Sequence, residues 1–209
     1  MTPMWMWVAG MLAVVVAFRL IRPTLAFVLA PRLAASALAA QPDQIHLDPA
    51  ADSVWRDEAR LERLVAELAA LGFADAGGYV VRELPAFKVR LFAHGPESML
   101  AAVYEHARAG SWFEFACRFT DGTGSTWTTA RPSGLDPRPG HPVRHLVGGT
   151  PAALWQAVRR ERPAKPAQPV AVAGVVADFE RVWAESIAWR KQQGLSRLEV
   201  VRAGMRKAA

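Results

Sequence analysis

The spacing of apolar positions changes along the chain, and each spacing predicts a different kind of element. Residues 4–18 are uncharged and almost entirely apolar. Residues 57–71 place their leucines and one valine at helical spacing and therefore predict an amphipathic helix, which ends at Gly72. Beyond residue 78 the spacing becomes two, which is typical of β-strands.

Five segments predict strands, and their short connections predict a mostly antiparallel sheet. They are residues 79–84, 87–93, 98–106, 111–120 and 125–130, although 98–106 is also compatible with a short helix. Residues 111–120 give the clearest pattern, since one face carries Phe113, Phe115, Cys117 and Phe119. The other face carries Trp112, Glu114, Ala116, Arg118 and Thr120. Asp121-Gly122 follows as a hairpin signal.

These elements predict an α+β fold, with an N-terminal transmembrane helix, a mostly antiparallel sheet of about five strands packed with helices, and C-terminal helices. The predicted divisions follow the same patterns along the 209 residues. They are a transmembrane anchor (1–22), a juxtamembrane helical segment and linker (23–53), an α+β domain (54–162), a Pro-rich linker (163–175) and a C-terminal helical segment (176–209).

The N-terminal apolar segment has three interpretations. A spanning helix over residues 2–21 fits the thickness of a bilayer, and Arg19, Arg22 and Arg32 after it predict an outside N-terminus with the main domain in the cytoplasm. A cleaved signal peptide could end near the A-x-A pattern at residues 37–39, but no basic residue precedes the apolar run. A re-entrant or partner-buried helix is the third possibility, because 15 apolar residues are few.

The net charge of +6 is concentrated at the two ends of the chain. Residues 1–42 carry +3 and residues 190–209 carry +5, which leaves −2 for residues 43–189. A nucleic-acid-binding domain would carry its own basic face, so this distribution disfavours nucleic acid as a partner. It favours a lipid bilayer, with another membrane or cytoplasmic protein as the further partner.

Candidate catalytic residues are few. Asp121 lies in the Asp-Gly turn, and His141 and His145 lie in an irregular loop, residues 132–149, which also contains Asp136. Two histidines in a Pro-rich loop lack the rigid frame that a metal site needs, so we predict no metal and no cofactor. No phosphate-binding loop, nucleophile elbow or zinc-protease motif is present in the sequence. The single cysteine, Cys117, falls on a strand face that suits an inert buried thiol.

Candidate binding residues flank the Asp-Gly turn. If Trp112 and Trp127 pair on the outer face of the hairpin, they form an exposed aromatic patch, and Arg118 lies on the same outer face of its strand. Exposed apolar patches of this kind usually mark contact sites.

Two groups of motifs resemble a family of bacterial membrane-anchored proteins. Leu71-Gly72-Phe73 with Gly77-Gly78-Tyr79 resembles the family's helix-to-strand junction, and Phe119-Thr120-Asp121-Gly122 resembles the end of its phenylalanine-rich strand. The resemblance covers roughly residues 55–160 and implies an inner-membrane location in a bacterium, but no activity. We therefore expect a membrane-anchored binding or assembly module without enzymatic activity. The alternative is a membrane-associated hydrolase or transferase that acts on a lipid or envelope precursor.

Overall fold

The structure, a computed structural model, describes residues 32, 34–51 and 55–207. The chain divides into two compact units. The larger unit, Pro42–Pro132 with Asp136–Arg190, contains the whole β-sheet. The described residues of the smaller unit are 32, 34–41, 133–135 and 191–207.

The larger unit is built on one seven-stranded sheet whose strand order follows the chain. Neighbouring strands pair antiparallel from β1 to β6, and the last pair, β6 with β7, is parallel. The strands are β1 (Leu47–Pro49), β2 (Ala74–Val81), β3 (Phe87–His94), β4 (Met99–His106), β5 (Gly110–Arg118), β6 (Gly124–Thr128) and β7 (Val143–His145).

The architecture predicted from the sequence is corrected in two respects, the number of strands and the transmembrane helix, although helices and a mostly antiparallel sheet do combine as α+β. The sheet is mixed and has seven strands, because β1 and β7 add one short strand at each edge. Each has three residues, too few to show a period, and each is held by its neighbour in the sheet. The predicted transmembrane helix over residues 1–22 lies outside the described residues. Within residues 32, 34–51 and 55–207, no helix combines the length and apolarity needed to cross a membrane.

Besides the helical residues 34–39 and a single 3-10 turn at Val172–Gly174, the described residues contain four α-helices, and local capping explains where three of them begin. They are α1 (Glu58–Ala70), α2 (Pro151–Glu161), α3 (Val175–Gln193) and α4 (Arg197–Lys207). The Asp57 side chain accepts a hydrogen bond from Arg60 N at 2.9 Å. Thr150 Oγ1 accepts one from Ala153 N at 3.2 Å. These caps satisfy backbone donors that have no partner within the helix.

In the smaller unit, α4 begins with the capping box that its sequence predicts. Ser196 N donates to Glu199 Oε2 at 2.9 Å, and Glu199 N donates to Ser196 Oγ at 3.2 Å. Gly134 lies so close to this helix that a Cβ atom there would be 2.8 Å from Ala203 N. Only glycine fits at that position, which also has a φ of +88°.

The first face of the sheet, which carries Phe113, Phe115 and Cys117 of β5, packs against α1 and α2 in the main hydrophobic core. The buried residues of α1 are Leu61, Leu64 and Leu68, and the 11 residues of α2 include five that are buried. Burying a leucine as completely as Leu68, which is 0% exposed, contributes about 1.5–3 kcal/mol. The first face is therefore closely packed.

The second face of the sheet, which carries Trp112, Glu114, Ala116 and Arg118 of β5, is covered more loosely. Apolar residues of β1 to β4 form a second core with Val175, Phe179 and Trp183 of α3. Of the 19 described residues of α3, Val175 alone is fully buried. The helix thus lies over the second face without filling the space between them.

The turn between β5 and β6 confirms the predicted hairpin. Phe119 N donates to Thr123 O at 2.9 Å, and Gly122 takes a φ of +81°, which glycine adopts without strain. The Asp121 carboxylate closes the turn, accepting from Thr123 N at 2.9 Å and from Thr123 Oγ1 at 2.6 Å. The Asp-Gly pair therefore has a structural role.

Candidate ligand-binding site

A cavity of about 250 Å³, here called the main cavity, lies between the second face of the sheet and α3. Most of its wall is apolar or aromatic. The side chains that enclose it include Leu100, Tyr104, Ala116, Val170, Phe179 and Trp183. All of its lining residues belong to the larger unit.

The sheet register explains why this space is open. Ala116 of β5 lies opposite Leu100 of β4 and opposite Thr126 of β6, and all three line the main cavity. Side chains on one face of a strand are two residues apart, so the larger Glu114 and Arg118 flank Ala116 on the same face. A methyl group between two long polar side chains leaves a depression in the sheet surface.

The roof is formed by α3 and by the segment that leads into it. Phe179, Val182, Trp183 and Ser186 of α3 line the main cavity at helical spacing. The Trp183 indole donates from Nε1 to Pro42 O at 3.2 Å, which fixes its orientation.

The Pro-rich segment before α3 closes one side, and backbone hydrogen bonds attach it to the end of β5. Gln168 N donates to Arg118 O at 2.8 Å, and Thr120 N donates to Pro166 O at 3.0 Å. Phe119 and Ala167 also form a β-bridge. A segment that the sequence presents as a linker is therefore held against the sheet, and Gln168, together with the residues that follow it, lines the cavity.

One end of the main cavity holds a partly buried acid, Glu114. Tyr104 Oη donates to Glu114 Oε1 at 2.6 Å. Burial raises the pKa of Glu114, because it penalises the charged carboxylate, and the hydrogen bond from Tyr104 opposes this. Burial and the neighbouring carboxylate together raise the pKa of Tyr104 well above its usual value. Trp112 stacks on Tyr104, with ring centroids 5.1 Å apart.

The other end is cationic and centres on Arg118. Its Nη2 donates to Glu185 Oε2 at 2.6 Å, and Arg138 Nη1 lies 3.9 Å from the same oxygen. Nε and Nη1 of Arg118 are shielded from water and have no acceptor among the described residues. A buried donor left without an acceptor costs about 1–3 kcal/mol, and native structures contain few of them.

A second cavity of about 70 Å³ lies beside this cationic end. His141 and Cys117 line it, and Arg118, Thr126 and Ser186 line both cavities. Partial burial lowers the pKa of His141, and Arg138 and Arg118 lower it further, so the neutral imidazole is favoured there.

Comparisons with protein-family models, with curated proteins and with solved structures gave no match to this chain. The site is therefore interpreted from its own chemistry.

The structure does not gather the predicted catalytic residues at one point. Asp121 is half-exposed and pairs with Lys165, whose Nζ lies 2.7 Å from Oδ2. His145 is exposed, and its Nδ1 lies 2.9 Å from Ala130 O. The backbone oxygen of Asp136 accepts from Arg190. Of these candidates, His141 alone lines a cavity described above. Within the described residues, no group of three or more His, Cys, Asp or Glu side chains could hold a metal ion.

The three predicted binding residues also separate. Trp127 is 0% exposed and belongs to the core of the first face, where its Nε1 donates to Glu161 Oε2 at 3.3 Å. Trp112 lies on the second face, so the two indoles do not form one exposed patch. Arg118 lines the main cavity. Cys117 is buried on the first face, and burial raises the pKa of its thiol.

Sequence reasoning did not assign a role to several residues that build the site. Glu114 gave no distinct signal, because an acid between Phe113 and Phe115 is what an alternating strand places on its polar face. The role of Ala116 could not be predicted from the sequence, because an alanine forms the floor of a cavity only when larger side chains surround it in the folded structure. The contribution of α3 also depends on tertiary packing.

Proposed function

We propose that this protein is a non-enzymatic binding module that holds one small organic molecule in the main cavity. The observation that carries the proposal is the partly enclosed, mostly apolar space of about 250 Å³ between the second face and α3. Protein interiors are normally packed with few voids larger than a water molecule. Concave, apolar spaces with a few polar groups are the usual form of ligand sites.

The contrast between the two faces of the sheet supports this assignment. The first face is closed by α1 and α2, which bury several side chains each, so the chain does build a dense core. The space on the second face is thus local, and it lies where Ala116 faces the half-exposed side chains of α3. A bound molecule would supply the apolar contacts that α3 lacks.

The volume restricts the size of the ligand. A liquid water molecule occupies about 30 Å³, so the main cavity has room for about eight groups of that size. Aromatic and aliphatic walls favour an apolar body, and polar side chains at both ends favour polar substituents. We infer a ligand of the size of a short fatty acid or a monosubstituted benzene.

Ligand binding to the purified protein can be measured by native mass spectrometry and by thermal shift with a panel of small probes, such as hexan-1-ol, toluene and hexanoate. We expect at least one probe to bind with one-to-one stoichiometry and to raise the melting temperature of the wild-type protein. The variant Ala116→Leu should lose this response, because the added side chain occupies the cavity floor.

The matched control is Ala109→Leu, which adds the same side chain at an exposed turn between β4 and β5. It should bind the probe as the wild-type protein does. Equal responses from Ala116→Leu and the wild-type protein would place the ligand elsewhere, and no binding by any probe would refute the proposal.

The assembly role predicted from the sequence, its protein partner and its cytoplasmic placement stay predictions. The enzymatic alternative receives no support from the geometry, because Asp121, His141 and His145 do not share a cavity.

A further inference from the structure

We propose that the molecule held in the main cavity is a monoanionic carboxylate, whose head group binds Arg118 and whose apolar body lies along α3. This inference rests on the function proposed above, since it names the class of ligand for the same site.

The first argument is the unused hydrogen-bonding capacity of Arg118. Its Nε and Nη1 have no acceptor among the described residues, and Nη2 is bound to Glu185 at 2.6 Å. The side chain borders both the main and the second cavity, and the proposal includes a reorientation of the guanidinium group that turns these donors toward the ligand. Arginine binds carboxylates through charge-assisted hydrogen bonds. Its guanidinium group stays protonated, so only an acceptor can satisfy the two donors that lack one.

The second argument is the local balance of charge. Two guanidinium groups, those of Arg118 and Arg138, face a single carboxylate, that of Glu185. The remaining partner of Glu185, Arg181, is itself paired with Asp178 at 2.8 Å. Among the described residues at this end of the cavity, one positive charge is therefore left unbalanced, which one negative charge on a ligand neutralises. A carboxylate carries that single charge, whereas a phosphate monoester carries about −1.5 to −2 at pH 7.

The third argument is the polarity of the two ends. Glu114 is four residues from Arg118 on β5, so the two Cα atoms lie about 13 Å apart at the usual strand rise of about 3.3 Å per residue. The Glu114 carboxyl group and the Tyr104 hydroxyl occupy the far end. An anionic head group is repelled there and attracted at Arg118, so the ligand has one favoured orientation.

The body of the ligand then lies between Ala116 and α3. Thr126 and Ser186 line both cavities and offer hydroxyl groups to the head group. Phe179, Val182 and Trp183 line the space beyond them and contact the hydrocarbon. The arrangement therefore matches a short amphipathic acid in which polar and apolar parts meet different residues.

Isothermal titration with hexanoate, hexan-1-ol and hexylamine separates the head group from the body, because the three probes share a six-carbon chain. We expect hexanoate to bind the wild-type protein about 10- to 100-fold more tightly than hexan-1-ol, the factor expected for one hydrogen bond to a charged group. Hexylamine carries an ammonium group that Arg118 and Arg138 repel and that finds acceptors at the Glu114 end, so Arg118→Gln should not weaken its binding.

Variants then assign the preference to one side chain. Arg118→Gln should weaken hexanoate binding by a larger factor than hexan-1-ol binding, so that the ratio of the two affinities falls to about one. Measurable binding of hexan-1-ol to this variant would show that the cavity is intact. Arg118→Lys, which keeps the charge, should recover part of the preference and serves if the glutamine variant does not fold. Arg144→Gln is the matched control. Arg144 also pairs with a glutamate at 3.0 Å and has a buried nitrogen without an acceptor, but it does not line the main cavity.

The outcomes distinguish the two proposals. If hexan-1-ol binds as tightly as hexanoate, or if Arg118→Gln leaves the preference unchanged or weakens hexylamine binding, the carboxylate assignment is overturned while the binding function stands. If Arg144→Gln abolishes the preference as Arg118→Gln does, the assignment to Arg118 is overturned. If none of the three probes binds the wild-type protein, this inference fails, and the binding function fails with it only if toluene does not bind either.

Discussion

Ala116 of β5 lies opposite Leu100 of β4, and the two side chains together line the floor of the main cavity. On the other face of the same two strands, Ala101 lies opposite Phe115 in the closely packed core. Two alanines in neighbouring strands thus have opposite surroundings, one facing open space and one facing packed side chains.

The first prediction uses this pair. Ala116→Leu should change the free energy of unfolding by less than about 1 kcal/mol, because the cavity accepts the larger side chain. Ala101→Leu should lower it by about 1–3 kcal/mol, because Ala101 is 1% exposed within the packed core of the first face. Urea denaturation of both variants measures the difference, and an equal loss would mean that the main cavity does not exist in solution.

The second prediction concerns the two tryptophans beside the hairpin. Trp127→Ala should destabilise the protein by about 3–5 kcal/mol, because the indole is completely buried in the first-face core. Trp112→Ala should cost about 1–2 kcal/mol, mainly through the lost stacking on Tyr104. Chemical denaturation of the two variants tests the assignment of these residues to opposite faces, and a reversed order would contradict it.

The third prediction concerns pH and Glu114. Burial raises the pKa of this carboxyl group above its ordinary 4.5, so the folded state binds the proton more tightly than the unfolded state does. This contribution to stability is fully present below about pH 4.5 and is lost as the pH rises through the folded-state pKa. Glu114→Gln keeps an acceptor for Tyr104 without the charge. It should match the wild-type protein at pH 4 and be more stable than the wild-type protein at pH 8.

Thermal unfolding of both proteins between pH 4 and pH 8 measures this effect. Glu67→Gln, on the exposed side of α1, controls for the loss of one negative charge. If the difference between Glu114→Gln and the wild-type protein is the same at both ends of the range, the acid is not buried as described.

The fourth prediction concerns Asp121, whose effect on the pH dependence of stability has the opposite sign to that of Glu114. The hydrogen bond from Lys165, followed by those from Thr123, holds the pKa of Asp121 well below its usual 3.8. Its contribution is present above pH 3.8 and is lost as the pH falls below it. Asp121→Asn should therefore show a shallower loss of stability between pH 4 and pH 2, and Lys165→Met should show the same change. Ligand binding at pH 7 should be unaffected in both variants, whereas lost binding would return Asp121 to the list of functional residues.

Much of the fold could be predicted from periodicity. The helix over residues 57–71 appears as α1, Glu58–Ala70, with Asp57 as its cap. The alternation around Phe113 and Phe115 appears as the two faces of β5. The hairpin at Asp121-Gly122 and the capping box at Ser196 also follow their local signals. These features could be predicted because each is specified by residues that are close in the sequence.

The candidate site could be predicted only in part. Arg118 was assigned to the outer face and does line the main cavity. The sequence predicts Trp127 on the same outer face, but the register of β6 places its side chain on the first face. A shift of one residue in a strand moves every side chain to the opposite face of the sheet. The length of the turn between β5 and β6, which contains two glycines, could not be predicted, and so the register of β6 could not be predicted either.

By itself, the sequence determined the periods, caps and turns of this protein, because those depend on neighbours in the chain. The tertiary structure alone decided that the short strands β1 and β7 join the sheet and that the Pro-rich segment lies against β5. It also decided that α3 lies over Ala116 with space beneath it. A cavity depends on side chains from distant parts of the chain, and in this protein Ala116 and Trp183 come together only when the helix packs on the sheet.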